Sequence, residues 1–191
     1  MKKFSPYYYE IIKKYQLFHI NGTEKLPPSK TFVGYSLTKW VGKIKEIINL
    51  NNCNSILDFG CGKAFLYTNS LNINNINYKN ITEFWNVKDV YLYDPGVVKF
   101  STYPNKKYDG VICTDVIEHI PENDIMNFIQ DIFDLSEKFV FIVVALMPAS
   151  KQFDDGKNIH LCLKSKNEWD KTFNEFKKMY PSIKQYIYFN E

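Results

Sequence analysis

The chain has 191 residues, 45% of them hydrophobic and 24% charged, with a net charge of +3, which fits one globular domain and excludes disordered and fibrous classes. All 24 basic residues are lysine, so no guanidinium can grip a phosphate or a guanine edge in a bidentate way, and a sequence-reading nucleic-acid protein is disfavoured. No run approaches the roughly 20 apolar residues of a membrane span, so no membrane span is expected.

In chain order, Tyr8, Ile11, Ile12, Tyr15 and Phe18 fall at helical spacing and predict a short helix over 5–18. Residues 20–36, rich in Gly, Pro, Ser and Thr, read as a loop long enough to be a lid, with Phe32, Gly34 and Ser36 over a pocket. A helix is expected over 37–50, with Ser36 as its N-cap. Ile56-Leu57 then forms a strand that breaks at Asp58-Phe59-Gly60-Cys61-Gly62 into a helix beginning near Lys63. Val90–Tyr93 and Gly110–Cys113 are further strands, ending at Asp94-Pro95-Gly96 and at Thr114-Asp115. Pro121 opens a helix at its first position, Phe139–Ala145 is a buried strand, and a helix over 167–179 and a strand over 183–189 complete the pattern. Strands alternating with helices predict an α/β fold with a doubly wound, mostly parallel, Rossmann-like sheet. The division expected is an N-terminal helical cap and lid over 1–52 and a ligand-binding domain over 53–191.

Ligands of such sheets lie outside the carboxyl ends of the strands, and the polar residues here cluster at those ends. Gly60 and Gly62 permit a sharp turn, and the helix after them is expected to offer free N–H groups to an anionic ligand. A carboxylate at Asp94 suits the two hydroxyls of a ribose. The dinucleotide fingerprint GxGxxG would need glycine at 65, where Phe65 stands, so a nicotinamide dehydrogenase is disfavoured.

The run Ile56-Leu57-Asp58-Phe59-Gly60-Cys61-Gly62-Lys63-Ala64 resembles motif I of the class I S-adenosylmethionine-dependent methyltransferases, with Ala64 for the third glycine. The run from Tyr108 to Glu122, YDGVICTDVIEHIPE, is similar to a segment around the fourth strand of many small members. Tyr93-Asp94-Pro95 and Asp155–His160 ahead of Trp169 resemble a small methyltransferase-domain group seen in phages and marine bacteria. The resemblance covers residues 53–190. It implies that Asp58, Phe59, Gly60, Cys61 and Gly62 line the methionine part of S-adenosyl-L-methionine, that Asp94 holds its ribose, and that Thr114 and Asp115 lie beside the sulfonium. Fourteen residues separate Asp94 from Asp109, too few for the usual helix and third strand. That strand is expected to be missing, and adenine contacts are expected from the loop from Pro95 to Tyr103. Phe84 and Trp85, in a long insertion between Gly62 and Asp94, either cover the cofactor or pack.

The activity implied is methyl transfer to a small-molecule or glycan-type acceptor. Asp115, His119 and His160 are the candidate catalytic bases, since a near-neutral imidazole or a placed carboxylate can take a proton. A nucleic-acid methyltransferase and a non-catalytic cofactor-binding protein are the alternatives. Cys53, Cys61, Cys113 and Cys162 form no CxxC pair and only three histidines are present, so no metal site is expected. The N-terminus meets Pro6, Glu10 and Lys13 before a secretory core could form, and the expected compartment is the cytoplasm.

Overall fold

The computed structural model describes residues 3–23 and 26–190. In chain order its elements are α1 (Pro6–Asn21), α2 (Val41–Leu50), β1 (Ser55–Phe59), α3 (Phe65–Thr68), the hairpin β2 (Leu71–Ile73) and β3 (Ile76–Tyr78), and α4 (Ile81–Trp85). These are followed by β4 (Asp89–Tyr93), β5 (Tyr108–Thr114), α5 (Ile125–Asp134), β6 (Ser136–Ala145), α6 (Lys166–Met179) and β7 (Lys184–Asn190). The five longer strands form one sheet in the order β4-β1-β5-β6-β7, every neighbouring pair parallel. The chain leaves β1 to one side for β4 and returns across it to β5. The carboxyl ends of β1, β4 and β5 therefore flank the switch point where ligands of such sheets lie.

Alternate residues of each strand face opposite layers, and both layers are apolar, so the strands read as continuous hydrophobic runs. Leu57, Val111, Val140 and Ile142 pack with α5 and α6, whereas Ile56, Ile112, Phe139 and Phe141 pack with α2 and α4. In α5, Ile125, Phe128, Ile129, Ile132 and Phe133 are all buried. At about 1.5–3 kcal/mol per large apolar side chain, that stripe outweighs any propensity term in the helix. Trp85 is fully buried and its indole N–H donates to Val41 O at 2.9 Å, while Phe84 packs on Tyr78. Both insertion aromatics belong to packing.

Between β4 and β5 the described chain forms only a short 3-10 turn (Val98–Phe100), so the third strand is missing as expected and β4 is an edge. The returning loop covers the end of that edge, with Asp94 N–H donating to Phe100 O at 3.0 Å and Tyr91 Oη to Thr102 O at 3.1 Å.

Three local expectations are corrected. The helix predicted over 37–50 begins as a 3-10 segment (Tyr35–Trp40), and α2 has Trp40 at its N-cap with no side-chain cap bond; Ser36 is not the cap. Pro121 is extended (ψ 138°) and precedes a 3-10 turn (Glu122–Asp124), so the proline stands outside α5. The hairpin was not predicted, yet its signal is present: Asn74 and Asn75 both take positive φ (52° and 64°), as a two-residue hairpin turn requires.

Helix α1 stands over the carboxyl ends of the strands. Ser5 caps it by accepting from Tyr8 N–H and is itself bonded to Asp124, its N–H at 2.8 Å and its hydroxyl at 2.6 Å. Further along, Gln16 Nε2 donates to Pro95 O at 3.0 Å and Lys14 pairs with Asp155 at 2.8 Å. By contrast α2 buries Ile44, Ile47 and Ile48 against the sheet itself.

Candidate active site

The flush register of β1 on β4, Phe59 opposite Tyr93, brings Gly60 and Asp94 side by side at the strand ends. Gly60 takes φ 98°, and a Cβ there would lie 2.4 Å from Val116 Cγ2; Gly62 takes φ 56°, and its Cβ would lie 2.4 Å from Phe32 O. The glycines thus admit close approach by the protein's own chain. The segment from Phe32 to Gly34 lies on this turn: Lys63 N–H donates to Phe32 O and Phe65 N–H to Val33 O. Gly60 and Cys61 donate to Tyr93 O, Ala64 to Cys61 O, and Gly62 to Asp94 Oδ2. The expectation of free amides after Gly62 is corrected: every N–H from Gly60 to Phe65 is already bonded, and α3 is only four residues long. Ala64, in the third-glycine position, takes φ 56°, a left-handed conformation that costs an L-residue about 1–2 kcal/mol.

Asp94 joins two turns. Its Oδ2 accepts from Gly62 N–H and its Oδ1 from Gly96 N–H, both at 2.8 Å. Burial raises its pKa and these two donors hold the rise in check. Each oxygen keeps a second lone pair for a ligand hydroxyl. Asp58 is buried and accepts from Tyr67 Oη at 2.8 Å; burial pushes its pKa up to about 7 against that hydrogen bond.

A cavity of about 820 Å³, counted to its open mouth, lies among these strand ends. Of the expected residues, Phe59, Gly60, Gly62, Asp94, Pro95, Thr114, Asp115 and His119 line it, as do Phe32, Gly34 and Ser36 of the expected lid. Asp58 and Cys61 line a smaller adjoining pocket, which shares Gly34, Ser36, Gly60 and Thr114 with the first. Of the loop from Pro95 to Tyr103, only Pro95 and Gly96 reach the wall; Tyr103 packs edge-on to Tyr93. The reading from sequence missed the opposite wall, Tyr8, Ile11, Ile12, Tyr15 and His19 of α1. Their spacing was legible as a helix face, but nothing local says what that face covers.

Asp115 takes φ 53°, accepts from Asn190 Nδ2 at 2.7 Å, and has its pKa raised by burial. His119 Nδ1 lies 3.0 Å from Ile159 O and 2.7 Å from Tyr15 Oη. A carbonyl only accepts, so the proton is assigned to Nδ1. Burial lowers the His119 pKa to about 3, which keeps the ring neutral and makes it a weak base at pH 7. His160 lies outside the cavity wall, its ring 4.7 Å from that of His119 and its Nδ1 2.6 Å from Met147 O. Glu118 is fully buried with no ordinary hydrogen bond to either carboxylate oxygen, and burial pushes its pKa up to about 8.

The family described as a methyltransferase domain matches residues 30–177, most of the chain. The chain belongs to that family. It is an enzyme of the class I S-adenosylmethionine-dependent methyltransferase superfamily. No curated protein and no solved structure matches it significantly. The matched range of this methyltransferase takes in the segment from Phe32 to Ser36, α2 and the strand ends, and leaves α1 outside it. No helix among the described residues is long and apolar enough to cross a membrane.

The methyltransferase's cavity fits the superfamily's cofactor on the chemistry of its donors. Asp94 offers open lone pairs to a ribose diol, no lysine is among the lining residues to repel a sulfonium, and the His19 Nδ1 is buried without a hydrogen-bond partner.

Proposed function

We propose that this methyltransferase binds S-adenosylmethionine between Asp94 and the β1 turn and methylates a small-molecule or glycan-type acceptor in the cavity beneath α1. The observation that carries the acceptor reading is enclosure. Tyr8, Ile11, Ile12 and Phe32 stand over the strand ends and narrow the space, about 820 Å³ counted to its open mouth, that acceptor and cofactor share, which favours a small acceptor over a polymer. The cap of this reading is α1 with the Phe32–Ser36 segment, set over the domain that α2 helps to build.

When bound, the cofactor supplies an electrophilic methyl carbon on a sulfonium. The chain's own residues do the rest. Asp94 orients the ribose, and Phe59, Gly60, Gly62 and Pro95 shape the wall around it. Because the amides of the β1 turn are all bonded, the hydroxyls of Ser36 and Thr114, which line both adjoining pockets, are the groups on that side able to meet the methionine end. The apolar face of α1 excludes water. Holding donor and acceptor in line can supply about 7–11 kcal/mol of the acceleration. If a proton must leave the acceptor, Asp115 is the better base of the three candidates. It lines the cavity and burial brings its pKa up, whereas His119 is held far below the working pH.

Calorimetry with S-adenosylmethionine and S-adenosylhomocysteine on wild type and Asp94→Ala, followed by an acceptor panel read through S-adenosylhomocysteine release, tests this. Wild type should bind both, and Asp94→Ala should bind at least tenfold more weakly. Failure of wild type to bind either refutes the site. Methylation of RNA or DNA, with salt-dependent binding and no small acceptor turned over, refutes the acceptor reading.

A further inference from the structure

Glu118, His119 and His160 converge at the edge of the cavity. One ligating atom from each, a carboxylate oxygen and two imidazole nitrogens, lies within 4.8 Å of the others. Three atoms so spaced share a centre within about 2.8 Å of each. Metal–nitrogen bonds are about 2.1 Å, so inward shifts of about 0.7 Å at most bring all three onto one ion. Both rings are already anchored from behind: Nδ1 of His119 stands 3.0 Å from Ile159 O and Nδ1 of His160 stands 2.6 Å from Met147 O. A ring whose Nδ1–H is engaged by a backbone carbonyl presents Nε2 as its lone-pair nitrogen, the arrangement that orients metal-bound histidines.

Glu118 is the independent observation. It is wholly buried, and neither oxygen has a hydrogen bond of ordinary geometry; only the backbone amides of Glu118 itself and Ala145 lie near enough to help its charged form, and no side chain pairs with it. A carboxylate in that state is costly unless a proton or a cation neutralises it. Burial in a hydrophobic layer would explain a leucine at this position, but not an acid aimed at two imidazoles.

We propose that Glu118, His119 and His160 form a binding site for one divalent first-row transition ion. Two nitrogens and one oxygen suit Zn²⁺, Mn²⁺, Fe²⁺ or Co²⁺ better than Mg²⁺ or Ca²⁺, which take oxygen ligands. Three protein ligands leave coordination positions open. Since His119 belongs both to the cluster and to the cavity wall, an ion held here borders the acceptor space. It selects acceptors that offer hydroxyl oxygens, whose acidity it raises; this last step rests on the small-acceptor reading above. No CxxC or HxxxH pattern announces the site, because its ligands come from the 3-10 turn Ile117–His119 and from the distant loop between β6 and α6 that carries His160.

The test uses the full chain, stripped with chelator and titrated with Zn²⁺, Mn²⁺ and Mg²⁺ by calorimetry, and with Co²⁺ followed by its visible d–d absorption. Wild type should bind one equivalent of a transition ion and prefer it to Mg²⁺. Glu118→Gln, an isostere that keeps the fold, and His160→Ala, on a half-exposed loop, should each weaken binding at least tenfold. Absence of stoichiometric binding by wild type, or undiminished binding by both variants, overturns the site. Methyl transfer to a hydroxyl acceptor that chelation abolishes and metal restores supports the role at the acceptor; transfer indifferent to chelation overturns that role. If no small acceptor is methylated at all, the acceptor reading fails while the metal titration still decides the site.

Discussion

Asp58 gives the sharpest test of the electrostatics at the β1 turn. Its carboxyl is buried, with its pKa raised from the usual 3.8 to about 7 by burial and opposed by the Tyr67 hydrogen bond. Because the folded value lies above the unfolded one, the folded state binds the proton more tightly. The contribution to stability is fully present below about pH 4 and is lost as pH rises through about 7. At about 1.4 kcal/mol for each tenfold change, ionising Asp58 in the fold costs about 4 kcal/mol by pH 8. Asp58→Asn removes that cost and still accepts from Tyr67, but leaves an amide NH₂ buried without an acceptor, a loss of about 1–3 kcal/mol. Denaturant unfolding of both proteins from pH 4 to pH 9 should therefore cross over. The variant should be less stable than wild type by about 1–3 kcal/mol at pH 4 and more stable by about 1–3 kcal/mol at pH 8. Taking the difference cancels groups common to both. A stability difference flat across that range would refute the claim that Asp58 holds its proton near neutrality.

Other predictions follow from single contacts. Gly60→Ala combines a φ of 98° with a Cβ 2.4 Å from Val116 Cγ2, and should destabilise by about 2–5 kcal/mol; adding Val116→Ala should recover only the clash, as read by chemical denaturation. Trp85→Ala empties a fully buried site and removes the bond to Val41 O, with an expected loss of about 3–5 kcal/mol and an unchanged denaturant slope. Ser5→Ala removes the α1 cap and the hydroxyl bond to Asp124. It should cost about 1–2 kcal/mol and weaken S-adenosylhomocysteine binding in calorimetry, because α1 forms one wall of the cavity; unchanged binding would mean that α1 does not cover the cofactor.

Much of the fold was legible because it is local. Ile56-Leu57, Val90–Tyr93 and Phe139–Ala145 are apolar on both faces, which only a sheet covered on both sides explains. The missing strand followed from the short spacing between Asp94 and Asp109. Boundaries were less legible where capping is weak: Ser36 has the right chemistry for an N-cap, but the 3-10 segment passes it by and turns it into the cavity. The free amides expected after Gly62 disappeared for a largely non-local reason, since the carbonyls of Phe32 and Val33 accept from the Lys63 and Phe65 N–H groups.

By itself the sequence determined the parallel α/β sheet, the turn residues at the strand ends and the family to which they belong, because period, turn chemistry and motif spacing act over a few residues. Only the tertiary structure decided what those residues face. It set α1 across the strand ends as the second wall, engaged both oxygens of Asp94, and left Glu118 buried beside two imidazoles. Those outcomes depend on segments far apart in the chain meeting in space, and on burial, which fixes the charge each carboxyl can carry and which no stretch of sequence contains alone.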